Sequence, residues 1–331
     1  MTRMIGAATM LERHGTRRGD TAWLAALLAS PQAGIMVLIG DKPVIRSNAE
    51  RTLAQIRWVA PDDIAALGFA LDDAIFLGTE PGGGAGRFAL QIREHYAAPM
   101  MAGEGPFGPV VDIRTLAAQG VMDAAELALI AQAKSLVSWA DATRCCGRCG
   151  ARMRPRDGGW RRQCTACATQ QFPRLDPVVI MLVSDGERAV LAHEPRFPEG
   201  MLSTIAGYLE PGENVEHAVA RETAEELGLA VRSVRYLATQ PWPFPHSLMI
   251  GCIAETDTGE IRPDTEEIAF ARWFTREEVE MIVERRHPEG FWVPGPVAIA
   301  HWLIRHWLEG RSLPEASALE DGRSTGRKDA T

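Results

Sequence analysis

Three carboxylates crowd one stretch of the chain that is built to be a helix. Pro211 and Gly212 are turn residues, Asn214 is a good N-cap, and Glu216 falls in the first turn, where the helix dipole favours an acid. Helix formers continue to Leu227 and Gly228 is a natural terminator, so a helix over Val215–Leu227 is expected. At about 100° per residue, Ala220, Thr223 and Leu227 share one face, taken as the buried one. Glu222, Glu225 and Glu226, at i, i+3 and i+4, share another. Like charges at that spacing repel and weaken a helix. A hard divalent cation would remove the repulsion, and carboxylate oxygen is what Mg²⁺ or Mn²⁺ prefers. The alternative for such a cluster is a solvated acidic face.

A second group could hold a different metal. Four of the six cysteines form two C-x-x-C pairs, Cys146 with Cys149 and Cys164 with Cys167. With no export signal read in the chain, this spacing points to zinc rather than disulfides. Four thiolates close a tetrahedral site and leave no open position, so the zinc is expected to be structural. Cys145 and Cys252 are spare, and Cys252 lies in an apolar run as a small core residue. The segment around the pairs is basic: it holds eight arginines, at positions 144, 148, 152, 154, 156, 161, 162 and 174, against the single acid Asp157. Two explanations stay open, solubility of a small knuckle and a surface that faces phosphate.

A third stretch, Gln240–Ser247, reads Gln-Pro-Trp-Pro-Phe-Pro-His-Ser. Proline cannot donate to a sheet ladder, so no central strand is expected here. A stiff extended loop would hold Trp242 and Phe244 in fixed orientations, either as core plugs or as a platform on which a planar ring stacks.

The spacing Gly207, five residues, Glu213, seven residues, Arg221-Glu222, then Glu225-Glu226 and Gly228 resembles the Nudix hydrolase box. Thr223 stands where that family usually has an aliphatic residue, a departure on the packing face. The four-Cys ribbon, the box and the Gln240–Ser247 segment together resemble the NADH pyrophosphatases, also called NAD-capped RNA hydrolases, from about Cys146 to Ala300. The N-terminal region fits only loosely.

The resemblance implies metal-dependent hydrolysis of the pyrophosphate of NAD(H) to nicotinamide mononucleotide and AMP, removal of NAD caps from RNA 5′ ends, and a homodimer. It implies Mg²⁺ or Mn²⁺ at Glu222, Glu226, Glu267 and the backbone carbonyl of Ala206, with Glu225 completing the catalytic cluster. Gly207, Glu213 and Arg221 become structural residues of the box, with Arg221 paired to Glu213. Substrate would be held by Gln240, Pro241, Trp242, Pro243, Phe244, Pro245, His246, Ser247, Phe172, Ala300 and Arg114, although spacing to the ribbon differs at Arg114. Gly159 stands where some members offer an acidic side chain, and His246 fills the variable position of the loop; both bear on substrate preference. Two other readings compete: a Nudix hydrolase of ADP-ribose or a dinucleoside polyphosphate, and a zinc-ribbon nucleic-acid binding protein that uses the fold as a scaffold. Against the second, a scaffold has no use for three mutually repelling acids.

The elements that must position these groups follow from length and pattern. With 331 residues, two or three domains are expected. With a net charge of −8, nothing global suggests a nucleic-acid or membrane protein. No apolar run reaches the roughly 18–20 residues of a membrane span. No export signal is read near the helical segment Trp23–Leu28, the C-terminal Asp-Ala-Thr matches no retention signal, and a cytoplasmic location is the default expectation.

The fold class expected is α+β: an N-terminal α/β domain, a four-Cys zinc ribbon, and a C-terminal Nudix α/β/α sandwich with a mixed sheet. The boundaries are 1–140, 141–175 and 176–310, with a disordered polar tail at 311–331. In the first domain, Ile35–Leu38 and Pro43–Ile45 read as a hairpin through Gly40-Asp41, and Ala74–Leu77 as a strand. Glu80–Gly86 reads as a surface turn, since it lacks the Gly-Lys-Ser/Thr of a phosphate loop. Asp123 with Glu126 makes a capping-box-like start for a helix to Trp139, and this domain is a candidate dimerisation surface. In the last domain, strands are expected at 178–183, 189–192, 234–239, 248–254 and 269–274, and helices at 277–284 and 297–307.

Overall fold

The computed structural model describes residues 11–97, 106–310 and 317–318. The chain folds into two compact units, one of residues 1–176 with 240–248, the other of residues 177–239 with 249–331.

The first unit opens with α1 (Thr21–Leu28), β1 (Gly34–Ile39), β2 (Lys42–Pro43), β3 (Ile45–Ser47), β4 (Ala54–Ile56), β5 (Trp58–Val59) and α2 (Pro61–Ala66). It continues with β6 (Ile75–Thr79), β7 (Gly86–Ile92), α3 (Glu94–Ala97), α4 (Ile113–Gln119) and α5 (Ala124–Ala142). β1 pairs parallel with β7 and antiparallel with β2 and β5, while β6 and β7 form a hairpin. β1 is buried at every position, the signature of a strand covered on both faces. Gly40 takes a positive φ in the β1–β2 turn, as the Gly-Asp pair suggested. The Gly-rich run after Glu80 is the turn of the β6–β7 hairpin. In α5, Asp123 caps by accepting from the Ala125 N–H at 2.8 Å, but the expected box does not close. Glu126 instead accepts from the Ile56 N–H at 3.0 Å, because burial leaves that amide on β4 in need of an acceptor.

The ribbon follows as β8 (Met153–Arg156), β9 (Arg161–Cys164) and β10 (Gln170–Gln171), an antiparallel sheet. Its own core is slight: Cys146, Met153 and Cys164, flanked by Ala151 and Cys167.

The second unit is built on β11 (Asp176–Ser184), β12 (Arg188–His193), β13 (Ile205–Tyr208), α6 (Val215–Leu227), β14 (Val231–Trp242), β15 (Ser247–Thr256), β16 (Phe270–Thr275), α7 (Arg276–Val283), α8 (Ile299–Leu308) and β17 (Ser317–Ala318), except that Asp176, the last three residues of β14 and the first two of β15 fall in the first unit. The sheet order is β16-β12-β11-β15-β14-β17, with β13 antiparallel to β11. α6 packs on the core formed by Val179, Met181, Val190, Ile205 and Cys252 through Ala218, Val219 and Leu227. The buried face differs in part from the expected one: Thr223 and Leu227 are buried, but Ala220 is only half-buried and Ala218 and Val219 take its place. The tail also differs from expectation where it is described, since Ser317 and Ala318 pair with Val234 and Ser233. The rest of 311–331 lies outside the described residues. Among the described residues no helix is long and apolar enough to cross a membrane.

Candidate functional sites

The acids are delivered by α6, whose ends are those the sequence dictates. Asn214 accepts from the His217 N–H at 2.8 Å, and Gly228 closes the helix in the left-handed conformation. One turn apart on this helix, Glu222 and Glu226 are both buried, 7 % and 5 % exposed, while Glu225 turns to solvent. The two buried acids line a cavity of about 540 Å³ together with Ala206, Glu267, Glu194 and Tyr208. Ala206 and Gly207 come from β13, a strand that sequence pattern did not reveal because it is four residues long with mixed burial.

Gly207 is where strand and helix meet. A Cβ there would stand 1.8 Å from Cδ of Glu222. Arg221 organises the rest of the box. Its Nε and Nη2 hold the two oxygens of Glu213 at 2.7 and 2.9 Å, and Nη2 also donates to the Tyr208 carbonyl at 2.8 Å. Its Nη1 donates to Glu222 at 2.8 Å and to Glu225 at 2.9 Å. The fork of one guanidinium thus ties the loop to the helix acids.

These contacts set the electrostatics. Arg221 holds Glu213 down at about 2, and its own pKa is raised in return. Burial pushes Glu226 up to about 8, with the charges of Glu222, Glu267, Glu194 and Glu225 adding to it. Glu222 is raised too, chiefly by burial, with Arg221 opposing the rise. Buried acids held among like charges are a cluster short of positive charge.

The donor set is suited to a hard divalent cation: carboxylate oxygens, two of them buried, and a backbone carbonyl on the same wall. The acids do not converge tightly, since Glu222 is engaged by Arg221. The cysteines do converge. Among the described residues, Cys146, Cys149, Cys164 and Cys167 are the group whose ligand atoms all lie within 4.8 Å of one another. Three of the S···S separations are 3.4–3.6 Å. A tetrahedron with Zn–S bonds of about 2.3 Å has edges of about 3.8 Å, so the four thiols form a structural zinc site.

The Gln240–Ser247 segment lies in the first unit, while the box acids lie in the second. It is not a separate extended loop: Gln240, Pro241 and Trp242 end β14, Ser247 starts β15, and the residues between form the hairpin turn. Pro243 and Pro245 are tolerated because they sit in the turn, beyond the ladder, while Pro241 lies in the last residues of β14. Trp242 and Phe244 meet edge-on, with centroids 5.0 Å apart. The Arg114 guanidinium lies 3.8 Å from the Phe244 ring centroid and the Lys134 ammonium 5.3 Å away. Lys134 is buried on α5 and paired with Asp41. Nothing in the sequence marked Lys134, which reads as an ordinary helix lysine. His246 Nδ1 lies 3.1 Å from Asp176. Phe172 is 61 % exposed, and Ala300 is buried in α8 of the second unit. Gly159 has φ +89° and a Cβ there would meet Ile75 Cγ1 at 2.9 Å, so packing excludes an acidic side chain at this position. Glu194 and Tyr208 in the cavity wall also escaped sequence reading, since neither carries a spacing signal.

Three family models match the chain in succession. They are the NADH pyrophosphatase-like rudimentary NUDIX domain over residues 32–139, the NADH pyrophosphatase zinc ribbon domain over 141–172, and the NUDIX domain over 174–292. The NAD-capped RNA hydrolase NudC of Mycobacterium bovis is 41% identical over 320 residues, 92% of this chain and 96% of that protein. Human NAD-capped RNA hydrolase NUDT12 is 44% identical over 193 residues, which cover 55% of this chain and 42% of NUDT12. The human mitochondrial NAD(P)H pyrophosphatase NUDT13 is 38% identical over 221 residues, 62% of each chain. The chain thus spans less than half the length of NUDT12. The chain belongs to the Nudix hydrolases and, within them, to the NADH pyrophosphatase family.

Proposed function

We propose that this protein hydrolyses the pyrophosphate bond of NAD(H) to nicotinamide mononucleotide and AMP, and removes NAD caps from RNA 5′ ends. The observation that carries the reading is the pair of buried acids, Glu222 and Glu226, one helical turn apart in a single cavity. The names of its relatives narrow the substrate to NAD and its RNA-linked form.

Glu222, Glu226, Glu267 and the Ala206 carbonyl would hold Mg²⁺ or Mn²⁺, and ions bound there would neutralise phosphate charge and acidify water. Arg221 keeps Glu222 oriented through its own anchor on Glu213. Glu225, held beside Glu222 by the same guanidinium, is the acid left to accept a proton from the attacking water. Trp242 and Phe244 offer faces for a nucleotide base or the nicotinamide ring, and Arg114 fixes the Phe244 ring from behind. Gln240, Pro241, Pro243, Pro245, His246, Ser247, Phe172 and Ala300 complete the proposed substrate contacts.

On the support of the family resemblance we also propose a homodimer, a cytoplasmic location, and domain limits at 140, 175 and 310. Steady-state kinetics on NADH, NAD, ADP-ribose and NAD-capped RNA, with Mg²⁺ and with Mn²⁺, test the function. NAD(H) and capped RNA should be cut in preference to ADP-ribose. Failure of the metal-replete protein to cut any dinucleotide overturns the reading.

A further inference from the structure

We propose that the outer face of the zinc ribbon binds the single-stranded body of an RNA substrate, with Arg152, Arg154 and Arg156 engaging successive phosphates. This deepens the proposed function and rests on capped RNA being a substrate.

Half of the ribbon's eight arginines already have acidic partners. Of the eight in the segment, Arg144 pairs with Asp141, Arg161 with Asp157, Arg162 with Asp73 and Arg174 with Asp176. The other four, at 148, 152, 154 and 156, are exposed and form no ion pair among the described residues. Solubility alone would be served by scattered charges. Three of these four are instead in line, at every second position of an extended segment that runs from the Cys145–Arg152 bridge through β8. Met153 between them is buried and Pro155 half-buried, so alternation turns all three guanidinium groups to one side.

Side chains two apart on a strand are about 6.6 Å apart. That step is comparable to the separation of phosphates along an unstacked single strand. A single strand also leaves its base edges free for contacts beside the row, whereas a duplex pairs them. Across the sheet, Arg154 faces Gln163, and Gln163 faces Gln170, giving neutral amides beside the charged row. Those amides can bond sugar hydroxyls and base edges, whereas carboxylates there would repel RNA. Arg156 also donates to Gln163 at 3.3 Å, which limits its motion without neutralising it. Guanidinium rather than ammonium at all three positions suits phosphate oxygens. The local excess of positive charge within a chain of net charge −8 makes this face a distinct electrostatic target.

The test uses the full chain and the triple variant R152Q/R154Q/R156Q, checked for zinc content and NADH turnover. Turnover of NADH should stay within about twofold, because a free dinucleotide has no RNA body. Affinity for an uncapped, 5′-labelled single-stranded RNA, followed by fluorescence anisotropy, should fall about tenfold or more at low salt. The slope of log Kd against log salt should drop by about 2, the value for three phosphate contacts on a single strand. The kcat/KM on NAD-capped RNA should fall in parallel. Equal RNA affinity and equal salt slope in variant and parent overturn the proposal, as does poly-glutamate binding as tightly as RNA. Because RNA binding is read without turnover, failure of the parent to cut NAD(H) sinks the function and leaves the surface assignment testable.

Discussion

Gly207 and Glu222 occupy mutually exclusive space: a Cβ on Gly207 would stand 1.8 Å from Cδ and 1.9 Å from Oε1 of Glu222. The absence of a side chain on β13 is what lets a carboxylate from α6 sit against the strand. Gly207→Ala should therefore act by expelling Glu222 rather than by straining its own backbone. We expect kcat to fall on the order of 10²–10³-fold, the scale of losing one preorganised electrostatic group. Overpacking should cost about 1–3 kcal/mol of stability, measured by denaturant unfolding. Adding Glu222→Ala should restore most of that stability without restoring turnover, and strict additivity of the two changes would refute the steric account.

Glu226→Gln separates charge from shape. The amide keeps the volume of the acid, and the position is held by packing on a buried helix face. Turnover should drop by about 10²-fold or more, since an oxygen donor to cation is lost. Burial and the surrounding acids push Glu226 up to about 8, so its charged form is unfavourable in the metal-free fold. The thermal transition of the metal-free variant should therefore be equal to or above that of the parent near neutral pH. A variant with parental kcat would remove Glu226 from the metal site.

The acid limb of stability should report the Glu213–Arg221 pair. Glu213 is lowered from 4.5 to about 2 by Arg221. A carboxylate depressed in the folded state contributes stability that is fully present above its unfolded value and is lost as pH falls through its folded value. The contribution should fade between about pH 4.5 and about pH 2, with the folded state becoming weaker as acid is added. In Glu213→Gln this part of the Tm-against-pH curve should flatten, and Tm near pH 7 should be lower than in the parent. Superimposable curves would show the pair to be energetically idle.

How far the sequence could be read depended on whether the signal was local. The ends of α6 are written in Asn214 and Gly228, and both cap as their chemistry requires. The cysteine spacing likewise declares its own cluster, because four thiols in two tight knuckles have few ways to meet. Non-local partners were illegible. Glu126 carried a capping-box spacing, yet the amide it satisfies belongs to Ile56, seventy residues away. Ala220 lost its place on the buried face because the sheet under α6 meets Ala218 and Val219 instead. The prolines of Gln240–Ser247 argue against a central strand, yet Gln240, Pro241 and Trp242 end β14, and residue types alone could not distinguish a free loop from a hairpin tip. Lys134 became notable only when folding set it near Phe244.

The zinc site should prove to be the ribbon's chief source of order. Apart from Cys146, Met153 and Cys164, the ribbon buries few apolar groups, so metal–thiolate bonds must supply what a core elsewhere provides. Cys149→Ser replaces a soft thiolate with a poor zinc ligand and leaves three donors. Zinc content by mass spectrometry of the purified chain should fall from one per chain toward zero. Limited proteolysis should then cut within residues 144–172 at protease levels the parent resists, since exposed arginines flank the opened knuckles. The Nudix unit has its own core around Val179, Met181 and Val219, so its unfolding transition should persist. Unaltered zinc content in this variant would show that Cys149 is not a ligand.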